Sequence, residues 1–193
     1  LQIPKGEGAE TEVDLVRRFI ILGRAGDALV AQQQDAQAIA LWQKALLEDH
    51  PDDALLQQKL GEALLRQGRS EEASAAYENA IRADNADTDT LIGAAEAALA
   101  LGEEFRARHH VEKLAQHSLD SPLMAYRLGI VCRRLGQFKG ALFAFRQAVA
   151  LAPEQGVYRA MMARALAETG DRAAASDEAD RALAAAPSDM VVL

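Results

Sequence analysis

The chain has 193 residues, of which 50% are hydrophobic and 5% aromatic, and its formal net charge is −8. A nucleic-acid binder needs clustered Lys and Arg, so this acidic chain is not expected to bind nucleic acid. No apolar run reaches the ~18 residues of a membrane-spanning helix, so we expect a soluble protein without membrane insertion. The Ala-rich, Lys-poor composition favours closely packed helices and suggests a bacterial source. One cysteine allows no internal disulfide and leaves the compartment open between cytoplasm and periplasm.

The chain begins with a short polar stretch, residues 1–10, which we predict to be a linker. Thr11 is a candidate cap for a helix that begins at Glu12 and carries apolar residues along one side. We therefore expect residues 11–53 to contain an extended N-terminal helix and a first helical hairpin.

A period of 34 residues follows. Glycines mark it at Gly68, Gly102, Gly136 and Gly170. Five residues after each glycine stands an alanine: Ala73, Ala107, Ala141 and Ala175. Glycine can take the left-handed conformation that ends a helix, and the small Ala side chain lets a second helix lie close against the first. Each period is therefore predicted to be two helices joined by a tight turn.

Capping and helix-breaking residues agree with this period. Ser121 is a candidate helix cap, with Pro122 at the first helical position. Pro153 and Pro187 stand where one hairpin must not continue as a helix into the next.

These residues resemble the tetratricopeptide repeat (TPR) family, whose 34-residue pattern has a Leu-Gly pair in the first helix and Ala-x3-aromatic in the second. The clearest copies are Leu60-Gly61 with Ala73-x3-Tyr77, and Leu128-Gly129 with Ala141-x3-Phe145. The resemblance implies an all-α fold, a right-handed α-solenoid of about five TPR helical hairpins. It also implies that Trp42 and Tyr77 are core residues rather than ligand-stacking ones.

The same pattern divides the chain after the first hairpin. Four further repeats are expected over residues 54–87, 88–121, 122–155 and 156–189. Residues 190–193 are apolar and are predicted to begin a further helix or a capping helix.

By resemblance to the family, the first helices line a concave groove that binds the partner. The candidate groove residues are Leu55, Gln58, Glu62, Arg66, Ile92, Glu96, Leu99, Leu123, Tyr126, Ile130, Arg133, Arg134 and Arg164. The ninth repeat position changes from acidic to basic along the chain, through Asp27, Glu62, Glu96, Ile130 and Arg164. This order predicts a bound segment with an apolar centre, cations toward the N-terminal repeats and anions toward the C-terminal ones. The alternative is that these polar side chains only keep an exposed surface soluble.

No catalytic or metal-binding pattern stands out. His109, His110 and His117 fall on the predicted second helix of the third repeat, without the i, i+4 spacing of a zinc pair, and are expected to be surface residues. Cys132 takes an inward position, where burial is expected rather than nucleophilic chemistry. The segment 23–26 lacks the Gly-Lys-Ser/Thr ending of a phosphate loop. We predict no cofactor, no metal and no enzyme activity.

The predicted function is that of a protein–protein interaction scaffold that binds a peptide or protein segment in the groove. Binding of acidic chaperone tails is not expected, because Gln58, Glu62, Gly93 and Leu123 replace most of the family's two-carboxylate clamp and only Arg127 is kept. Two alternatives stay open: a self-assembling structural TPR protein, and an accessory TPR domain of a larger secretion, biogenesis or enzyme polypeptide.

Overall fold

The computed structural model describes residues 12–48 and 50–185. Over these ranges the chain forms ten α-helices, one short 3₁₀ helix and no β-strand, as the sequence predicts. The α-helices are α1 Glu12–Ala31, α2 Asp35–Glu48, α3 Ala54–Arg66, α4 Ser70–Arg82, α5 Thr88–Ala100, α6 Glu104–Lys113, α7 Pro122–Arg134, α8 Phe138–Leu151, α9 Gly156–Glu168 and α10 Arg172–Ala185. The predicted linker, the cap at Thr11 and the apolar end at 190–193 lie outside the described residues.

The helices belong to two compact units that meet in sequence after Asn85. Unit 1, residues 1–85, contains α1 to α4, and unit 2, residues 86–193, contains α5 to α10. Within each unit the closest packing is between consecutive helices, α1 with α2, α3 with α4, α5 with α6, α7 with α8 and α9 with α10. Successive pairs then pack on each other through α2 with α3, α5 with α7, and α8 with α9.

The turns inside the hairpins are closed by residues in the left-handed conformation. Gly68, Gly102, Gly136 and Gly170 have φ of 71°, 76°, 71° and 97°. In the first hairpin the same place is taken by Gln33, with φ of 60°. Its backbone bonds match those at Gly68: Gln33 N donates to Val30 O and Gly68 N to Leu65 O, both at 2.9 Å. The first hairpin thus has the shared turn without the glycine that marks the others.

Side-chain caps fix where three first helices begin. Asp53 and Asp87 each accept a hydrogen bond at 2.7 Å, from Leu56 N and Thr90 N. Ser121 accepts one from Met124 N at 3.5 Å, as its predicted role as a cap requires. The three caps stand 34 residues apart and satisfy amides that the helix itself leaves unbonded.

The aromatic residue of each second helix packs on a small residue of its own first helix. Trp42 is 2% exposed and donates from Nε1 to Gly23 O at 3.2 Å, and Tyr77 is 1% exposed, so both are core residues as predicted. A Cβ atom built on Gly26 would lie 2.0 Å from Trp42 Nε1. The helices approach this closely only because no side chain stands between them.

Candidate protein-binding surface

In unit 1 the predicted groove residues lie on α3, and they differ in exposure. Leu55 is 57% exposed and available for contact. Gln58 is buried, and its Oε1 accepts a hydrogen bond from Asn85 Nδ2 at 2.8 Å. The prediction that Gln58 faces a partner is therefore wrong, because this amide bonds to the end of the same unit.

The charged groove residues of unit 1 bond to one another. Arg66 donates to Asp35 at 2.8 and 3.1 Å and to Glu62 at 2.8 Å. The Arg66 hydrogen bond holds the pKa of Asp35 below its ordinary value. Glu62, predicted to meet a ligand cation, already has an intramolecular cation beside it.

The other acidic ninth-position residues are paired in the same manner. Asp27 accepts from Lys59 Nζ at 2.8 Å in unit 1. In unit 2, Glu96 accepts two hydrogen bonds from Arg127, at 3.0 and 2.7 Å, and Arg127 also bonds Asp89. In both units a base on the next first helix neutralises the acid, so the predicted acidic end of the groove carries little free charge.

Two apolar residues predicted for the middle of the groove are buried instead. Ile92 is 0% and Leu99 7% exposed, so neither presents a surface to a partner, and the prediction for both is wrong. The reason is the character of α5, in which the run Leu91 to Ala95 is buried at every position. A helix that is apolar on all sides is a core helix rather than an amphipathic one.

A contiguous apolar patch does lie on α7 and α9 in unit 2. Leu123 is 55% and Val157 51% exposed, although both are aliphatic. Tyr126 and Ile130, half-buried, share the α7 face with Leu123 because they stand three and seven residues further on. The Tyr126 ring lies 5.3 Å from the Tyr158 ring of α9 between centroids, which joins the two helices' side chains into one surface. We call these five residues the α7/α9 patch.

Arginines flank this patch near the C-terminal ends of the two helices. Arg134 is exposed and donates to Leu99 O at 3.2 Å. Arg133 and Arg164 both lie beside Glu168, at 3.5 and 3.4 Å. Three guanidinium groups therefore accompany one carboxylate here, which makes this end of the surface basic, as the sequence predicts for the C-terminal repeats.

Tyr158 is the member of the patch that sequence reasoning missed. It stands at the third position of its repeat, outside the positions that the family resemblance assigns to the groove. Its spacing of 32 residues from Tyr126 could have indicated it, because residues of neighbouring first helices separated by about one repeat come close together.

A second kind of apolar groove lies between second helices, at equivalent places in both units. The unit 1 groove encloses about 490 Å³ and is lined by Leu60 and Leu64 of α3. The unit 2 groove encloses about 540 Å³ and is lined by Leu128 and Cys132, the residues 68 positions later. Burial raises the pKa of the Cys132 thiol to about 11, which agrees with the predicted buried and unreactive role.

The three histidines occupy different environments. His109 is exposed as predicted, but His110 is 3% exposed, because one residue turns the chain by about 100° and puts it on the buried face with Ala107. His117 is exposed but follows the 3₁₀ helix in extended backbone, so its predicted place on the second helix is wrong. Among residues 12–48 and 50–185, no three His, Cys, Asp or Glu side chains are grouped as a metal site would need. None of the helices described there has the length and apolar character to cross a membrane.

Helical hairpins with a glycine turn and an aromatic–glycine contact define the class of helical-repeat proteins that serve as protein–protein interaction scaffolds. Two tetratricopeptide repeat family models match the sequence, one over residues 20–86 and one over residues 123–155, which together make about half of the chain. The chain belongs to the tetratricopeptide repeat family. Proteins of this family are in general non-enzymatic scaffolds.

Solved structures of TPR proteins share the fold at low sequence identity. MamA 41-end from Desulfovibrio magneticus RS-1 is 14% identical with a TM-score of 0.72, covering 90% of this chain and 97% of that one. YrrB, described as a TPR protein with an unusual peptide-binding site, is 18% identical with a TM-score of 0.70, covering 94% and 95%. A thermophilic TPR protein of Thermus thermophilus, TTC0263, is 21% identical with a TM-score of 0.67, covering 89% and 93%. These likenesses confirm the predicted all-α, solenoid fold class, and no curated protein matches the sequence significantly.

Proposed function

We propose that the chain binds an extended polypeptide segment on the first-helix surface of unit 2, with an apolar side chain on the α7/α9 patch and an acidic group toward the arginines. The observation that carries this proposal is the exposure of Leu123 and Val157 beside the paired rings of Tyr126 and Tyr158. Aliphatic and aromatic side chains that share one surface are typical of the centre of an interface.

The charges narrow the chemistry of the partner. The acids Glu62 and Glu96 already have internal cations, so we keep only the basic end of the charge order as a recognition feature. Arg134 and Arg164 are exposed beside the apolar patch and favour an anionic partner. YrrB supports the proposal to the extent that a fold of this kind carries a peptide-binding site in that protein.

A peptide-library selection on the full chain, followed by fluorescence anisotropy of the enriched peptides, tests the proposal. Covering Leu123 is worth about 1–1.5 kcal/mol at ordinary burial energies, so Leu123→Ser should weaken binding about tenfold. The matched control is Leu183→Ser, which changes a side chain of similar exposure, 46%, on α10. Failure to enrich any peptide, or equal loss in the two variants, would contradict the proposal.

Self-assembly of the chain and service as an accessory domain of a larger polypeptide are the competing functions. Sedimentation of the chain over a wide concentration range separates the first from peptide binding, because self-assembly by mass action must raise the mean mass with concentration. A constant monomer mass together with a patch-dependent peptide affinity supports the function proposed here.

A further inference from the structure

The loosest ion pairs on the first-helix surface of unit 2 meet at a single carboxylate. Arg133 Nη1 lies 3.5 Å and Arg164 Nε 3.4 Å from the same atom, Glu168 Oε1. The bidentate pair between Arg127 and Glu96, in contrast, is closed at 3.0 and 2.7 Å. Arginine and carboxylate normally form charge-assisted hydrogen bonds of about 2.7–2.9 Å, so neither guanidinium is fully bonded to Glu168.

Buried atoms at this place lack partners within the described part of the chain. Arg133 Nε and Glu168 Oε2 are both inaccessible to solvent and make no hydrogen bond there. Burying a polar atom without a partner costs free energy, and native proteins satisfy nearly all such atoms. Two guanidinium groups against one carboxylate also leave a positive charge that the neighbouring groups do not neutralise.

We propose that Arg133 and Arg164 form a binding site for one carboxylate of the partner segment, with Glu168 as the internal competitor that holds the arginines in place. Each guanidinium offers a planar fork of N–H donors that fits a carboxylate in bidentate fashion. The site rests on the proposed function, because it lies on the same two helices as the α7/α9 patch. It uses repeat positions other than those of the family's two-carboxylate clamp, whose residues are mostly absent here.

The carboxylate could belong to an acidic side chain or to the C-terminus of the partner, and small probes distinguish the two sources. N-acetyl-leucine represents a chain end with its carboxylate beside an apolar side chain, and N-acetyl-glutamic acid α-amide represents an acidic side chain. N-acetyl-leucinamide lacks the carboxylate and is the negative control. The full chain is titrated with each probe at constant ionic strength while the arginine Nε–Hε NMR signals are followed.

We expect saturable shifts of the Arg133 and Arg164 signals with one or both carboxylate probes and none with N-acetyl-leucinamide. Arg164→Gln, which changes a half-exposed side chain, should weaken carboxylate binding at least fivefold, whereas Arg146→Gln on exposed α8 should leave it unchanged. Shifts that sodium chloride reproduces, or an Arg164→Gln variant that binds as the parent does, would overturn the site.

Glu168→Gln tests the role of the competitor. Removing its charge frees both arginines, so the carboxylate probe should bind about two- to fivefold more tightly, the range that partly exposed ion pairs are worth. Unchanged or weaker binding contradicts the competitor. Because these probes report on the arginines directly, a negative result here leaves apolar binding at Leu123 measurable on its own, and the two proposals fail separately.

Discussion

Gly129 of α7 lies against the ring of Phe145 of α8 so closely that a Cβ atom on the glycine would stand 2.5 Å from Phe145 Cε1. The same spacing of 16 residues joins Gly26 to Trp42 and Gly61 to Tyr77. Where the first residue is alanine, the second is smaller, as in the pairs Ala95 with Val111 and Ala163 with Ala179. The volumes of the two residues are therefore matched within each repeat, which keeps the two helices of every hairpin in close contact.

Gly129→Ala should destabilise unit 2, because the added methyl group overlaps the Phe145 ring. Overpacking of this kind costs about 1–3 kcal/mol, and urea denaturation measures it. Gly140→Ala is the matched control: its Cβ would meet Cys132 Sγ at an ordinary 3.5 Å, so the better helix propensity of Ala should leave stability equal or higher.

Combining Gly129→Ala with Phe145→Val tests whether the two volumes are coupled. The double variant reproduces the alanine–valine combination of the third repeat, so its loss of stability should be smaller than the sum of the two single losses. A double-mutant cycle measures the difference, expected to be about 1 kcal/mol or more. Strict additivity contradicts the matching of volumes.

Gln33→Gly should stabilise unit 1. A non-glycine residue in the left-handed region costs about 1 kcal/mol, and the equivalent turns of the other hairpins use glycine at this place. The gain should appear as a higher urea midpoint. Gln32→Gly, one residue earlier and not at positive φ, supplies the control and should give no gain. A rise in both variants would instead point to an effect on the unfolded chain.

The hairpins were accessible from the sequence because each depends on residues close together in the chain. Gly68, Asp53 and Ser121 act on their own turn or helix end, and their 34-residue spacing is visible without a structure. The exposure of Ile92 and the charge of Glu96 were not accessible in this way. They depend on residues of other helices, such as Arg127, 31 positions from Glu96, which decide whether a nominal groove side chain is buried or paired.

Arg127→Met should destabilise unit 2 by about 1–3 kcal/mol. It would leave Asp89 and Glu96, each only about a quarter exposed, facing one another without the guanidinium that joins them. Thermal or urea unfolding measures the loss. Adding Asp89→Asn and Glu96→Gln to the variant should restore part of the stability, since no like charges then remain. If the triple variant is less stable than Arg127→Met alone, charge repulsion is not the cause.

The pair of Asp35 and Arg66 should stabilise unit 1 in a pH-dependent manner. The folded pKa of Asp35 lies below its ordinary value of 3.8, chiefly because Arg66 donates a hydrogen bond to the carboxylate. The folded state thus binds fewer protons, so the contribution is complete above that ordinary value and is lost as the pH falls through the lowered pKa. A double-mutant cycle with Asp35→Asn and Arg66→Gln should give a coupling at pH 7 that disappears in acid. A coupling that persists in acid contradicts this origin.

Cys132 should react very slowly with a thiol reagent in the folded protein and rapidly in the unfolded one. Burial raises its pKa to about 11, so only about one thiol in a thousand is ionised at pH 8, and the side chain is only 4% exposed. Because the chain has one cysteine, the absorbance of released thionitrobenzoate follows this residue alone. We expect labelling at least a hundredfold slower in buffer than in urea. Cys132→Ser combined with Ser176→Cys, at an exposed position of α10, supplies a thiol that should react at similar rates in both solvents. Equal protection of the two thiols in buffer would show that burial of Cys132 is not what slows the reaction.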